Sequence, residues 1–208
     1  MNLGLLNSET EIEDKGIWLR YEGFSPTCLV WSGYRVTHQW INGAEALEVS
    51  CNYFFYYLAD WFISGATLDQ AAKGFGLGEK TGIELDEAVG MRANAENKAK
   101  LYKGAMASWG AGDKLNASIG QSENRLTPLQ LCVYVATVAN KGVRMKATFL
   151  NRVVASDYRT LVYQNEPVVA STLKMSNATY GTIVQGMKQV ITGPSGTART
   201  TMQGLSVE

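Results

Sequence analysis

Two apolar runs at helical spacing meet at Ser50-Cys51-Asn52, and that meeting constrains the fold of this chain more than any other stretch. Ala44 and Leu47 lie on one side, and Phe54, Phe55, Leu58 and Phe62 follow on the other. Each set recurs at the interval of one helix face, so the pattern predicts two core helices joined through Ser50 and Asn52. Read alone, Ser50 is expected to cap the second helix, its hydroxyl accepting a backbone N–H in the Tyr53 turn. A junction of this kind also fixes its side chains. Whether the pair does chemistry is decided by the segments that follow.

A sequence of 208 residues, 46% of them hydrophobic, can bury one substantial core and is expected to form one domain or a large piece of one. The 19 Lys and Arg balance the 19 Asp and Glu, so net charge gives no argument for nucleic acid or an anionic membrane. The longest apolar stretch, residues 129–139, is about half the ~20 residues of a membrane span and is read as a core helix. Met1-Asn2-Leu3-Gly4 has no basic region leading into an apolar one, so no signal peptide or anchor is expected. Cys28, Cys51 and Cys132 form no C-x-x-C, which suits buried thiols better than a disulfide framework or zinc site. His38 is the only histidine, which excludes a three-histidine metal site; no metal and no cofactor are expected.

In chain order, Leu3, Leu5 and Leu6 read as a helix end, residues 8–14 as an acidic stretch, and residues 17–40 as short strands and loops. Thr67-Leu68-Asp69-Gln70 has the form of a capping box, with Leu68, Ala71, Ala72 and Phe75 on one face before Gly74 and Gly76. The glycines that follow match no phosphate-binding pattern and predict a tight turn. Gly110, Gly112 and Asn116 lead from a helix-compatible stretch, residues 94–109, to Ser118-Ile119-Gly120-Gln121. Thr127-Pro128 opens a helix that Asn140-Lys141-Gly142 closes. Residues 145–169 alternate as short strands or a hairpin. Ser176 is placed to cap a helix with Tyr180, Ile183, Val184, Met187, Val190 and Ile191 on one face, ended by Gly193-Pro194.

Several of these segments, in this order, resemble the transpeptidase domain of class B penicillin-binding proteins. The most specific is the run Ile119-Gly120-Gln121, Thr127-Pro128-Leu129-Gln130 and Ala139-Asn140-Lys141-Gly142-Val143; Ser50-Cys51-Asn52 occupies the place of the family's S-x-N. The resemblance implies an α+β chain, the predominantly helical part of the serine acyltransferase fold of penicillin-binding proteins and β-lactamases, with a few short strands and an incomplete central sheet. It implies catalytic roles for Ser50 and Asn52, with Gln121 at the substrate-binding wall and Cys51 pointing into the core. Substrates would be peptidoglycan stem peptides and β-lactams, and the parent protein would act on the outer face of the bacterial cytoplasmic membrane.

The family's chemistry also requires a serine nucleophile one helical turn from a lysine. The only S-x-x-K is Ser171-Thr172-Leu173-Lys174, some 120 positions after Ser50, where the family's motif would precede it. Lys80-Thr81-Gly82 spells K-T-G but lies in a glycine-flanked loop and is assigned no catalytic role. Residues 1–208 are therefore expected to be a partial transpeptidase domain lying between two motifs, without a nucleophile and inactive alone. Where the missing sheet would pack, an exposed apolar face is expected to permit self-association. Two other readings stay open: a naturally short, non-catalytic module that binds peptidoglycan or a partner, and an unrelated enzyme using Ser171 and Lys174.

Overall fold

The computed structural model describes residue 4 and residues 6–205; Leu3, Leu5 and the final three residues lie outside the described residues. In chain order the elements are strand β1 (Ile12–Asp14), helix α1 (Leu29–Tyr34), β2 (Gln39–Ile41), α2 (Gly43–Glu48), α3 (Asn52–Trp61), α4 (Gly65–Gly74), α5 (Ala95–Leu101), a 3-10 turn (Gly104–Ala107), α6 (Ala111–Ser118), α7 (Pro128–Ala139), β3 (Val143–Met145), β4 (Arg152–Val154), β5 (Leu161–Gln164), β6 (Val169–Thr172) and α8 (Asn177–Thr192). Helix dominates. The strands pair only two by two, as antiparallel ribbons β1–β2, β3–β6 and β4–β5. This is the expected helical α+β class with short strands.

The chain forms two compact units. One is built from the stretch through Gly65, from Ser108–Ser122 and from the stretch beginning at Met175; the other comprises Ala66–Ala107 and Glu123–Lys174. In the first, α3 buries Tyr53, Phe54, Tyr56 and Ala59 with Leu115 of α6, and Trp18 meets the Tyr53 ring edge-on at 5.1 Å between centroids. Gly112 lies inside α6, where the Phe24 ring stands 3.3 Å from where its side chain would begin. Residues 17–40, read as strands and loops, also hold α1, a six-residue helix without a side-chain cap. Leu6 packs against this core but is not helical.

Helix α8 begins as the sequence predicts, with the Ser176 hydroxyl accepting the Thr179 N–H at 3.1 Å. Its most buried positions, however, are Thr182 and Gly186, while Met187 is exposed. The reason is its close approach to α2. A Cβ at Gly186 would lie 2.7 Å from Leu47 Cδ1 and 2.9 Å from the Ala44 carbonyl oxygen. Small residues rather than the broad apolar face make the contact.

In the second unit the capping-box reading of Thr67 is overturned. Helix α4 begins at Gly65, so Thr67 lies inside its first turn; Asp69 of the same helix accepts hydrogen bonds from Arg92 Nε at 2.9 Å and Asn94 Nδ2 at 2.8 Å. The glycine stop is as expected: Gly76, at φ 79°, lets its own N–H reach the Lys73 carbonyl and the Leu77 N–H reach that of Ala72. Helix α7 has the expected Thr127 cap and first-turn proline, and Gln130 completes a capping box. Gln130, 1% exposed, also donates to the carbonyls of Glu79 and Val89, tying the preceding loop to the helix.

Helix α7, read as a core helix, buries Gln130, Thr137 and Val138 but leaves another face open. Leu131 (45%) and Val135 (46%) are exposed and Cys132 is open to solvent, so one face of the helix is a bare apolar stripe. Residues 75–78 form the anticipated glycine turn, and in the loop beyond it the Thr81 and Gly82 amides and the Thr81 hydroxyl donate to the Glu87 carboxylate. Among the described residues, no helix is long and apolar enough to cross a membrane.

The α2–α8 contact yields a paired prediction. Gly186→Ala is expected to destabilise the chain by about 1–3 kcal/mol through overpacking against Leu47 and the Ala44 carbonyl. Gly181→Ala, on the same helix with nothing within 4 Å of the new methyl, is expected to stabilise it by about 0.5–1 kcal/mol. Urea midpoints of the two variants check both signs.

Candidate functional site

Helix α2 starts with a capping box: Asn42 Oδ1 accepts the Ala44 and Glu45 N–H groups, and the Glu45 carboxylate accepts the Asn42 N–H at 2.9 Å. It ends in a Schellman motif. The Cys51 N–H reaches the Ala46 carbonyl at 2.9 Å and the Ser50 N–H that of Leu47 at 3.2 Å. This pattern requires a left-handed residue just past the helix, and here that residue is Ser50, at φ 52°. Helices α4 and α6 end the same way with glycines, Gly76 and Gly120, in that place. Serine in this conformation costs roughly 1–2 kcal/mol.

The expectation that Ser50 caps α3 is therefore corrected. The cap position is Cys51, which makes no side-chain cap bond, because Ser50 is committed to closing α2. Cys51 is fully buried, as the sequence reading placed it, and packs opposite Ala46, also fully buried. Ser50 is exposed and Asn52 half-buried on the first turn of α3, so neither is lost in packed core. The Ser50 hydroxyl lies 3.1 Å from the Thr197 hydroxyl. Among the described residues the Asn52 carboxamide has no hydrogen-bond partner, so its donors and acceptor are available.

Gln121 is exposed at the C-terminal end of α6, its N–H closing the helix on the Asn116 carbonyl at 2.9 Å. Helix α6 packs along α3, with the Ser118 hydroxyl on the Phe55 carbonyl, so Gln121 belongs to the same unit as Ser50 and Asn52. Ser171 lies in strand β6 of the other unit. Its hydroxyl accepts from Arg144 Nε at 2.8 Å and donates to the Gly74 carbonyl at 3.2 Å. A strand does not stack Lys174 one helical turn from Ser171, so the S-x-x-K spacing has no catalytic geometry there.

Beneath Ser50, the structure gathers a cluster that the cysteine spacing did not reveal. Asp14, Cys28, His38 and Cys51 place one donor atom each within 4.8 Å of one another. Asp14 Oδ2 accepts from His38 Nδ1 at 2.8 Å and from the His38 backbone N–H at 3.0 Å. Cys28 Sγ lies 3.6 Å from His38 Nδ1 and 3.8 Å from Cys51 Sγ. Its bond with Cys51 pulls the Cys28 thiol down to about 6, and the same bond, with burial, pushes the Cys51 thiol up. Tetrahedral zinc with bonds of about 2.0–2.3 Å separates its donors by roughly 3.3–3.8 Å. Two sulfurs, an imidazole and a carboxylate could hold such an ion, with Asp14 moving off His38 to do so.

The comparisons with known proteins agree with this architecture. The family described as "Penicillin binding protein transpeptidase domain" matches residues 1–208. The peptidoglycan D,D-transpeptidase MrdA of Acinetobacter baumannii is 32% identical over 143 residues, covering 68% of this chain and 20% of that protein. MrdA of Escherichia coli K12 is 28% identical over 201 residues, covering 95% of this chain and 30% of that protein. The chain thus spans less than a third of the length of these relatives. Among solved structures, the penicillin-binding protein PBP2 of Helicobacter pylori superposes with a TM-score of 0.77 at 22% identity, over 98% of this chain and 35% of that one. Matched by the family from end to end, the chain belongs to the penicillin-binding protein transpeptidase domains.

Proposed function

We propose that Ser50 and Asn52 form one wall of the cleft in which a longer protein cross-links peptidoglycan stem peptides through an acyl-serine intermediate. The observation that carries this reading is the pair's setting: an exposed hydroxyl held in a strained backbone conformation, beside a half-buried carboxamide left free to bind. The acyl-accepting serine and its lysine come from outside these 208 residues. In acylation the serine Oγ bonds to the substrate carbonyl carbon, the C–N bond breaks, and the serine proton passes by way of lysine and Ser50 to the departing nitrogen. Asn52 donates to the amide on the acyl side, orienting the stem peptide or a β-lactam. Gln121 contributes to the substrate wall. The longer protein works on the outer face of the cytoplasmic membrane, where its substrate lies.

The Asp14, Cys28, His38 and Cys51 donors support a structural role for zinc in the same unit. An ion there would tie the segments carrying Asp14, Cys28 and His38 to the residue between Ser50 and Asn52. It would take no part in proton transfer.

The 208-residue chain alone, incubated with a penicillin, is expected to show no covalent mass increase. In the longer protein Ser50→Ala is expected to slow acylation by about 10²-fold or more, read with a fluorescent penicillin. A stoichiometric adduct on the isolated chain would overturn the assignment. Purification in zinc is expected to give one zinc per chain by elemental analysis, and none in Cys28→Ser. Zinc at a hundredfold its Kd would add about 2.7 kcal/mol of stability, so a chelator is expected to lower Tm by roughly 5–10 °C. The bare stripe of α7 supports self-association of the isolated chain. Light scattering is expected to give a mass above the 22.7 kDa of one chain, and Leu131→Glu to reduce it.

A further inference from the structure

Helix α8 ends at Gly193, and the turn that follows, residues 193–197, folds back over the C-terminus of α2. Glu48, the last residue of α2, is 6% exposed and engages this turn twice. Its carboxylate accepts the Ser195 N–H at 3.1 Å, and its main-chain carbonyl accepts the Thr197 N–H at 3.1 Å. Two glycines make the fit possible. Any side chain at 193 would collide with the Glu48 carboxylate, and one at 196 with the carbonyls of Gln189 and Val190. The Ala198 N–H on the Val190 carbonyl anchors the far side of the turn. From this assembly Thr197 reaches the helix junction, its hydroxyl meeting that of Ser50.

We propose that Thr197, held by Glu48, is the positioning residue for the Ser50 hydroxyl. The inference rests on the proposed proton-relay role of Ser50. A serine on the exposed end of a helix can turn its hydroxyl among three rotamers. A relay needs the oxygen in one place, with one lone pair open to the incoming proton and its own proton aimed at the acceptor. Thr197 supplies one hydrogen bond that fixes the oxygen. Because its backbone N–H is fastened to the residue two positions before Ser50, the two hydroxyls are set by one rigid body. Glu48 thus acts at one remove: it orders the turn, the turn orders Thr197, and Thr197 orders Ser50.

The test is a double-mutant cycle in the full-length protein, reading the acylation rate by a fluorescent penicillin. Thr197→Val, which keeps the shape and removes the hydroxyl, is expected to slow acylation about five- to tenfold, the worth of one hydrogen bond. Thr197→Ser is expected to restore it to within twofold. In a Ser50→Ala background Thr197→Val is expected to change the rate less than twofold, since its effect runs through Ser50. Glu48→Gln, which keeps an acceptor for the Ser195 N–H, is expected to retain the parent rate, and Glu48→Ala to speed hydrogen exchange of the Ser195 amide and slow acylation. A slow Ser50→Ala enzyme with unchanged Thr197→Val overturns this inference and leaves the role of Ser50 standing. A full Thr197→Val effect that persists without the Ser50 hydroxyl also overturns it. An unchanged Ser50→Ala rate overturns the relay reading and the inference together.

Discussion

The close approach of α8 to α2 is the contact from which the rest of the site follows. It is built where side chains are smallest: Gly186 lies against Leu47 and the Ala44 carbonyl, and Thr182 Cγ2 stands 3.6 Å from where a Gly43 side chain would begin. Packing this close leaves the helices little freedom to slide, because interiors at native density resist even small volume changes. With the two helices locked, the end of α8 must pass the end of α2. Glu48 then lies where its carboxylate can be satisfied by the backbone of the turn that follows α8, and a buried carboxylate needs such a partner. Helix packing and the polar contacts at the helix ends are thus one structure, and removing either strains the other.

The strain at Ser50 makes sense on this footing. Two backbone bonds of the Schellman motif, the burial of Cys51 opposite Ala46, and the hydroxyl contact with Thr197 all fix the same residue. Together they outweigh the roughly 1–2 kcal/mol cost of a left-handed serine. Glycine would relieve that cost, as Gly76 and Gly120 do at equivalent helix ends, but glycine has no hydroxyl. Lys141 closes α7 in the same left-handed conformation, at φ 54°, so a side chain in this place is a cost that surrounding contacts can offset.

Local signals were the legible ones. Thr127 and Pro128 announce α7 because cap and first-turn proline act within four residues, and Ser176 announces α8 for the same reason. The meeting of two helices at Ser50 could be read from apolar spacing. That Ser50 would close α2 instead of opening α3 could not, since a left-handed serine is a tertiary outcome that local preference argues against. Thr67 shows the converse: a well-formed local capping pattern lies inside a helix that begins two residues earlier, at Gly65. Thr197 is 147 residues from Ser50, and the three donors around Cys51 come from separated segments with no metal-binding spacing. Such groups are neighbours only after folding. The α7 stripe misled because apolar periodicity marks a face to be covered without saying by what.

Three consecutive residues therefore face three environments, and the reason is geometric. The left-handed turn at Ser50 followed by the extended Cys51, at φ −73° and ψ 102°, redirects the chain within two residues. The hydroxyl is left at the surface, the thiol is driven into the core beside Cys28, and the carboxamide returns to the edge on the first turn of α3. Because the thiol sits between the two polar groups, anything that fixes Cys51 from below fixes the spacing of Ser50 and Asn52 above. The cluster of Asp14, Cys28 and His38 packs on that thiol. Thr197 grips the hydroxyl from the other side. The pair is held by core and turn at once, so the spacing of its hydroxyl and carboxamide is built into the fold.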